Sequence, residues 1–301
     1  LLICLYHGVH PTWDTTLVRP AGARLKTFGG RASGPGPLEA VFKFIVNSFY
    51  KAKGRRLTSL ECHDICCVIA QSVIVGGVRR SAMISLSDLE DKEMADCKSG
   101  NWWQSHSYRA LANNSAVYAE KPSLGKFMQE WSSLYNSFSG ERGILNREAL
   151  QAVCSRVGRG VPDGVHLGTN PCSEIILRSL EFCNLSTIVV RPNDSKKDIR
   201  RKIEQATIIG TVQSKFTHFP YLREEWKKNC EEERLLGVSM TGIFDNMFTA
   251  GQTSPMDLIG FLQDIRDAAQ DINVEWANKL DTEPSKAITC VKPEGTTSCL
   301  A

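Results

Sequence analysis

The chain lacks any apolar run approaching the ~18 residues that a membrane helix needs, so no spanning helix is expected. It has little net charge, +3 over 301 residues. That is too weak to argue for nucleic acid or a membrane surface as partner, although a phosphorylated small ligand needs only local charge. No Cys-x-x-Cys and no His-x(3–5)-His pair is present, so no zinc motif is expected and no metal ligand is assigned. No Gly-x(4)-Gly-Lys-Ser/Thr occurs, which excludes a Walker-type phosphate loop. There is no internal repeat, no low-complexity segment, and no basic leader with a cleavage site at the start. The eleven cysteines are odd in number and widely spaced, which argues against a secreted disulfide framework and for a reducing cytoplasm.

What is present suits a packed α/β fold. Hydrophobic residues make up 42% and charged residues 23%, enough of each for a globular core. Apolar spacing predicts helices over 38–52 and 196–215, the latter with Ile199, Ile203 and Val212 inward. Thr58-Ser59-Leu60-Glu61 is a capping box opening a helix to about residue 73, with Cys62, Ile65, Cys66 and Ile69 as its core face. Ser123 caps another helix, with Phe127, Trp131, Leu134 and Phe138 on one face. Ser254-Pro255 starts the clearest helix, carrying Ile259, Leu262, Ile265, Ala269, Ile272 and Trp276 inward. The opening LLICLYHGV and residues 82–87, 115–119, 186–191 and 286–292 read as strands. Strands alternating with helices indicate a mainly parallel sheet; pattern alone fits an open sheet and a barrel equally. The chain starts at Leu rather than Met and ends just past a strand and a Gly-rich turn, so both termini are expected to be cut from within a fold.

Chemistry concentrates in residues 168–186. Asn170-Pro171 reads as a turn delivering Cys172, with Glu174 two residues on and Cys183 eleven residues after Cys172. In an extended loop, residues i, i+2 and i+4 point the same way. Asn170, Cys172 and Glu174 are therefore expected to project together: an amide, a thiol and a carboxylate on one face. A free cysteine by itself is more often a buried packing group.

Asn-x-Cys-x-Glu followed by Cys-Asn-Leu-Ser resembles the active-site loop of ribonucleotide reductases. Residues 19–37, 75–82, 109–117, 140–146, 234–245 and 291–298 also resemble that family, in its chain order. They look most like the adenosylcobalamin-dependent, monomeric ribonucleoside-triphosphate reductases. The resemblance implies the central part of a ten-stranded α/β barrel, spanning 1–301, with Cys172 on a loop entering its centre. It implies that Cys172 carries a thiyl radical, made with adenosylcobalamin, that takes the ribose 3′-hydrogen atom. Glu174 is then the general base for the 3′-hydroxyl proton, Asn170 a hydrogen bond to the sugar, and Cys183 one of two reducing thiols. Ribonucleoside triphosphates are the implied substrates, deoxynucleoside triphosphates the effectors, and a thioredoxin-like dithiol the reductant. The family's other reducing cysteines would lie before residue 1 and after residue 301, so the isolated chain is expected not to turn over.

Two further segments matter for ligands. Pro293-Glu294-Gly295-Thr296-Thr297-Ser298 follows a strand and can present backbone N–H groups to an anion. By resemblance, Pro293, Gly295, Thr296, Thr297 and Ser298 hold the substrate phosphates. Glu294 stands where a small hydroxyl residue is common, and is expected to point away. Gly76, Gly77, Val78, Arg79 and Arg80 resemble the loop coupling an effector site to the substrate base, where either arginine could reach base or phosphate. Three other readings stay open: a reductase drawing its radical from a metal-bearing subunit, a non-radical oxidoreductase using Cys172 and Cys183, and an inactive nucleotide-binding module. The non-radical reading requires one of those thiols to have a lowered pKa.

Overall fold

The structure is a computed structural model. It describes residues 1–26, 30–75, 78–79, 81–162 and 164–294, with only the backbone of 74–75 and 78–79. The chain divides into two compact units, Leu1–Asn146 and Arg147–Ala301.

The first unit opens with a helix, α1 (Leu2–Tyr6), where a strand was expected. Short apolar runs fit either period. Here Leu1 and Leu5 pack onto the core formed by Val41 and Ile45 of α2 (Gly36–Lys51) with Ile65 and Val68 of α3 (Ser59–Ser72). The capping box at α3 forms as read: Glu61 N–H donates to the Thr58 hydroxyl, and Thr58 N–H donates back to Glu61. Arg55 clasps the same carboxylate and, with that N–H, lowers its pKa to about 2. The face of α3 differs from expectation. Cys62, Cys66 and Ile69 are exposed, whereas His63, Asp64, Cys67 and Ala70 are buried beside Ile65 and Val68. A buried ion pair turns the helix this way: Arg109 donates to both oxygens of Asp64, at 2.7 and 2.6 Å.

After the antiparallel pair β1 (Ile74–Val75) and β2 (Val78–Arg79) comes a parallel sheet. Its strands are β3 (Met83–Asp88), β4 (Ala112–Tyr118) and β5 (Gly143–Asn146) in that order, Met83 opposite Ala112 and Ser115 opposite Gly143. Short helices α4 (Lys92–Asp96) and α5 (Trp102–Ser105) bridge β3 to β4, and the Ser123-capped α6 (Leu124–Ser137) bridges β4 to β5. Phe138 is not on the packed face of α6; it ends the helix in left-handed backbone and is exposed. Buried charges lock the sheet. Lys98 reaches both oxygens of Glu141 at 3.0 and 2.9 Å, and Asn114 N–H donates to the same carboxylate at 2.9 Å. Arg142 grips Glu130 and the carbonyls of Asp88 and Leu89.

The second unit begins with α7 (Arg147–Arg156) and a hairpin of β6 (Gly168–Thr169) and β7 (Ile176–Leu177). Then come β8 (Asn184–Val189), α8 (Lys196–Ser214), α9 (Glu224–Glu233), β9 (Leu236–Thr241) and α10 (Pro255–Leu280). β8 and β9 pair in parallel, with Asn184 opposite Leu236. The expected strand at 286–292 reduces to residues 287–290 beside β9, tied by Val238 N–H to the Ile288 carbonyl (2.8 Å) and Cys290 N–H to the Val238 carbonyl (3.0 Å). The core joins Ile188, Val190, Leu236 and Val238 of this sheet to Ile199 and Ile203 of α8 and Phe261, Ile265 and Ala269 of α10. The buried face of α10 is shifted from the expected stripe: Ile259 and Leu262 are exposed, while Ala268, Asn273 and Ala277 are buried. Small side chains let α10 close on α8, and Asn273 spends its amide on the Thr211 hydroxyl at 2.9 Å.

Removing Arg109 leaves the Asp64 carboxylate buried without its cation. Arg109→Met is expected to cost ~3 kcal/mol or more. Urea unfolding of the two proteins measures this, and a loss below ~1 kcal/mol would show that the pair does not hold α3 to the turn ahead of β4.

Candidate active site

The segment 168–186 is not an extended loop. It folds as the β6–β7 hairpin with a tight tip over 170–175. Asn170 N–H donates to the Ile175 carbonyl (3.2 Å), Ile175 N–H donates to Asn170 Oδ1 (3.0 Å), and Ser173 N–H donates to the Asn170 carbonyl (2.9 Å). Ser173 takes left-handed backbone to close the turn. The alternation expected for Asn170, Cys172 and Glu174 is therefore absent, because turning backbone replaces extended backbone. Cys172 is exposed at the tip, Asn170 is half-buried with its oxygen committed to the turn, and the Glu174 side chain is only 1% exposed.

Glu174 turns inward onto the sheet. Lys292 Nζ meets its Oε1 at 3.3 Å, while Oε2 is buried with no hydrogen-bond partner. Lys292 is fixed to β9 by its own N–H, which donates to Ser239 Oγ at 3.0 Å. Burial works against the ammonium, but the Glu174 carboxylate outweighs it and raises the Lys292 pKa. Two thiols share this environment. Burial and then the Glu174 charge push Cys183 up to about 11, and the same causes push Cys290 up to about 12. Both stay protonated near neutral pH. Glu294 is held by the Thr187 hydroxyl of β8.

Close approach of backbone makes this cluster possible. A Cβ on Gly237 would meet Leu185 Cδ2, Ile175 Cδ1 at 3.0 Å and Cys290 Sγ at 3.2 Å. Glycine lets Ile175 of the hairpin settle against β9. Beneath the hairpin lies a charge clasp that spacing did not reveal. Arg159 donates to Glu233 (2.9 and 2.5 Å), to Glu181 (3.2 Å) and to the Ile176 carbonyl (2.7 Å). Arg178 adds contacts to Glu181, Glu232 and the Asn229 carbonyl. Burial, then the shared contact with Glu233, raises Glu181 to about 8; burial also works against the charge of Glu233, but Arg159 holds its pKa low.

Pro293 is exposed beside this cluster; Gly295, Thr296, Thr297 and Ser298 lie outside the described residues. So do Gly76, Gly77 and Arg80, while Val78 and Arg79 are seen as backbone of β2. Among the described residues no group of three or more His, Cys, Asp or Glu is placed to hold a metal ion. Among them, too, no helix is long and apolar enough to cross a membrane.

No protein-family model matches the chain. It is 29% identical over 96% of its length to the adenosylcobalamin-dependent ribonucleoside-triphosphate reductase of Lactobacillus acidophilus, and 30% identical over 96% to that of Levilactobacillus brevis. Against the Lactobacillus leichmannii enzyme it is 30% identical over 78% of its length. This chain is a relative of the ribonucleotide reductases. It spans 41% of the length of the first two relatives and 31% of the third. A crystal structure of a B12-dependent (class II) ribonucleotide reductase superposes on it with a TM-score of 0.68 at 21% identity, covering 94% of this chain and 41% of that one. The fold is thus part of that enzyme's fold, and the parallel strand–helix units fit the expected fragment of an α/β barrel.

The reductase-like motifs divide into two kinds. Residues 109–117 and 140–146 supply the buried clamps of Arg109, Asn114, Glu141 and Arg142. Residues 168–186, 234–245 and 291–294 converge on Glu174, through the hairpin, Gly237 and Lys292. Lys292, Cys290, Arg159, Glu181 and Glu233 were not singled out from sequence. Only Lys292 carried a signal there, as the residue before Pro293 in a motif already noticed.

Two measurements probe this arrangement. Gly237→Ala is expected to destabilise the second unit by ~1–3 kcal/mol through overpacking; an unchanged denaturation midpoint would show that the hairpin does not rest there. Glu181 keeps a proton in the folded state above its ordinary 4.5, so its contribution is fully present below that pH and lost as pH rises through about 8. Stability measured at several pH values from 5 to 9 should therefore fall more steeply in the parent than in Glu181→Gln. Equal slopes would assign the proton elsewhere.

Proposed function

We propose that this chain carries part of the catalytic core of an adenosylcobalamin-dependent ribonucleoside-triphosphate reductase. One observation carries the reading: on a single hairpin tip, an exposed thiol, Cys172, stands two residues from a buried carboxylate, Glu174, whose Oε2 has no partner. A buried acceptor left open calls for a donor to arrive, and a ribose hydroxyl is such a donor. The relatives named above add the substrate class and the cofactor.

In this reading the Cys172 thiyl removes the 3′-hydrogen atom of the ribose and later returns it. Its exposure suits a thiol that must be reached by a large cofactor and by substrate. Adenosylcobalamin, when bound, supplies the radical by homolysis of its cobalt–carbon bond. Glu174 accepts the 3′-hydroxyl proton at Oε2. Asn170, its oxygen engaged by Ile175, offers its amide N–H groups to the sugar. The 2′-hydroxyl takes a proton and leaves as water while C2′ gains a hydrogen; both protons and the two electrons come from two thiols, of which Cys183 is one, that end as a disulfide. A protonated Cys183 suits that donor role. It is the reverse of the lowered pKa that a nucleophilic thiol pair would need.

The substrate phosphates are assigned to the turn at 293–298 and the effector signal to the loop at 76–80, with deoxynucleoside triphosphates as effectors. A thioredoxin-like dithiol restores the cysteines, with no role for nucleic acid or a membrane. The cytoplasm is the proposed site of action, supported by ten described cysteines that are all free thiols.

The test uses the full-length protein with adenosylcobalamin, a dithiol and each ribonucleoside triphosphate. Cys172→Ala is expected to abolish deoxynucleotide formation, and Glu174→Gln to lower it by ~10²–10⁴-fold. Turnover surviving in Cys172→Ala would overturn the proposal.

A further inference from the structure

Glu174 has a companion that the proposed mechanism leaves unassigned. The Glu174 charge acts on the thiols of Cys183 and Cys290, Glu181 stands behind Cys183, and Cys172 and Glu294 act on Lys292. Among the described residues, Lys292 is the cation within hydrogen-bond reach of it.

Neither partner is free to wander. Glu174 belongs to a tip closed by the two Asn170–Ile175 hydrogen bonds. Lys292 follows Cys290, whose N–H is bound to the Val238 carbonyl, and its own N–H is bound to Ser239 Oγ. The ammonium is delivered from the sheet and the carboxylate from the hairpin. They meet through Oε1 alone, leaving Oε2 buried and open.

We propose that Lys292 is a positioning residue for the reduction: it fixes Glu174 through Oε1, keeps it charged, and so presents Oε2 as the proton acceptor for the substrate hydroxyl. The inference rests on the reading of Glu174 as the base. A buried carboxylate stripped of its one cation favours the neutral form, which can take no proton. Lysine does this as a point charge at the end of a long stem, so arginine, with the same charge and similar reach, should replace it in part.

Two readouts separate this role from a merely structural one. In the full-length protein, Lys292→Met is expected to move the acid limb of the kcat/KM profile up by about one pH unit or more. On that limb a one-unit move is about a tenfold loss of rate. Lys292→Arg should restore most of the rate and the parental profile. Should Lys292→Met fail to fold, Lys292→Gln, neutral but still polar, is expected to show the same shift. A parental profile in a folded neutral variant would overturn the proposal.

The second readout needs no turnover. Infrared spectra of protein labelled with ¹³C at glutamate carboxyls, referenced to Glu174→Gln, isolate the Glu174 band. In the neutral variants it should show protonated carboxyl at pH values where the parent shows carboxylate. Identical titration in both would end the proposal whether or not nucleotides are reduced. A shifted band in a protein that reduces nothing would support the pairing and count only against the reductase reading.

Discussion

The Arg159 guanidinium is the point on which the second unit turns. It is buried, and its donors are divided among Glu233 at the end of α9, Glu181 just ahead of β8, and the carbonyl of Ile176 on the hairpin. The stretch from Ile176 to Glu181 and the distant end of α9 are thereby held to one planar group. Burying a charge costs several kcal/mol unless partners answer each donor. Here they do, and Arg178 shares the same carboxylates. The hairpin that carries Cys172 and Glu174 is only two residues long on each strand. So short a hairpin has little stability alone. Its rigidity comes from the clasp below it and from Ile175 seated over Gly237.

The same economy of charge shapes the site above. Negative and neutral groups crowd together: Glu174, Glu294, and the protonated thiols of Cys183 and Cys290. Lys292 answers one carboxylate and Thr187 the other. High thiol pKa values follow directly from burial beside Glu174. They leave sulfur in the S–H form, the form that can give up a hydrogen atom. A site built for thiolate attack would need the opposite electrostatics.

The first unit relies on comparable clamps for a different end. Asp64–Arg109, Lys98–Glu141 and Arg142–Glu130 are each largely buried; the first ties α3 to the turn ahead of β4, while Glu141 and Arg142 also bond backbone of β4 and β3. They account for motifs whose charged residues, seen only as letters, could have been taken for ligand contacts. The exposed Cys62 and Cys66 on α3 make the same point in reverse, since apolar spacing placed them inside and the ion pair turned them out.

Helix starts were legible because they are local. Thr58, Ser123 and Ser254 each cap the helix that follows, with a side chain and an N–H three residues apart. The parallel α/β character, the thiol–carboxylate pair on one short loop, and the likeness to ribonucleotide reductases were legible for the same reason: each lies in composition, period or contiguous motif. What tertiary structure decided depends on residues distant in sequence. It turned the first apolar run into a helix on α2 and α3, rotated α3 and α10 about their axes, and bent the expected extended loop into a closed tip. It also brought Lys292 across 118 positions to Glu174, and Arg159 across 74 to Glu233. Sequence alone determined which groups are available and where the backbone begins its turns. Which groups are buried together, and hence which carry charge and which keep a proton, was decided only by packing, because desolvation and pairing act through space rather than along the chain.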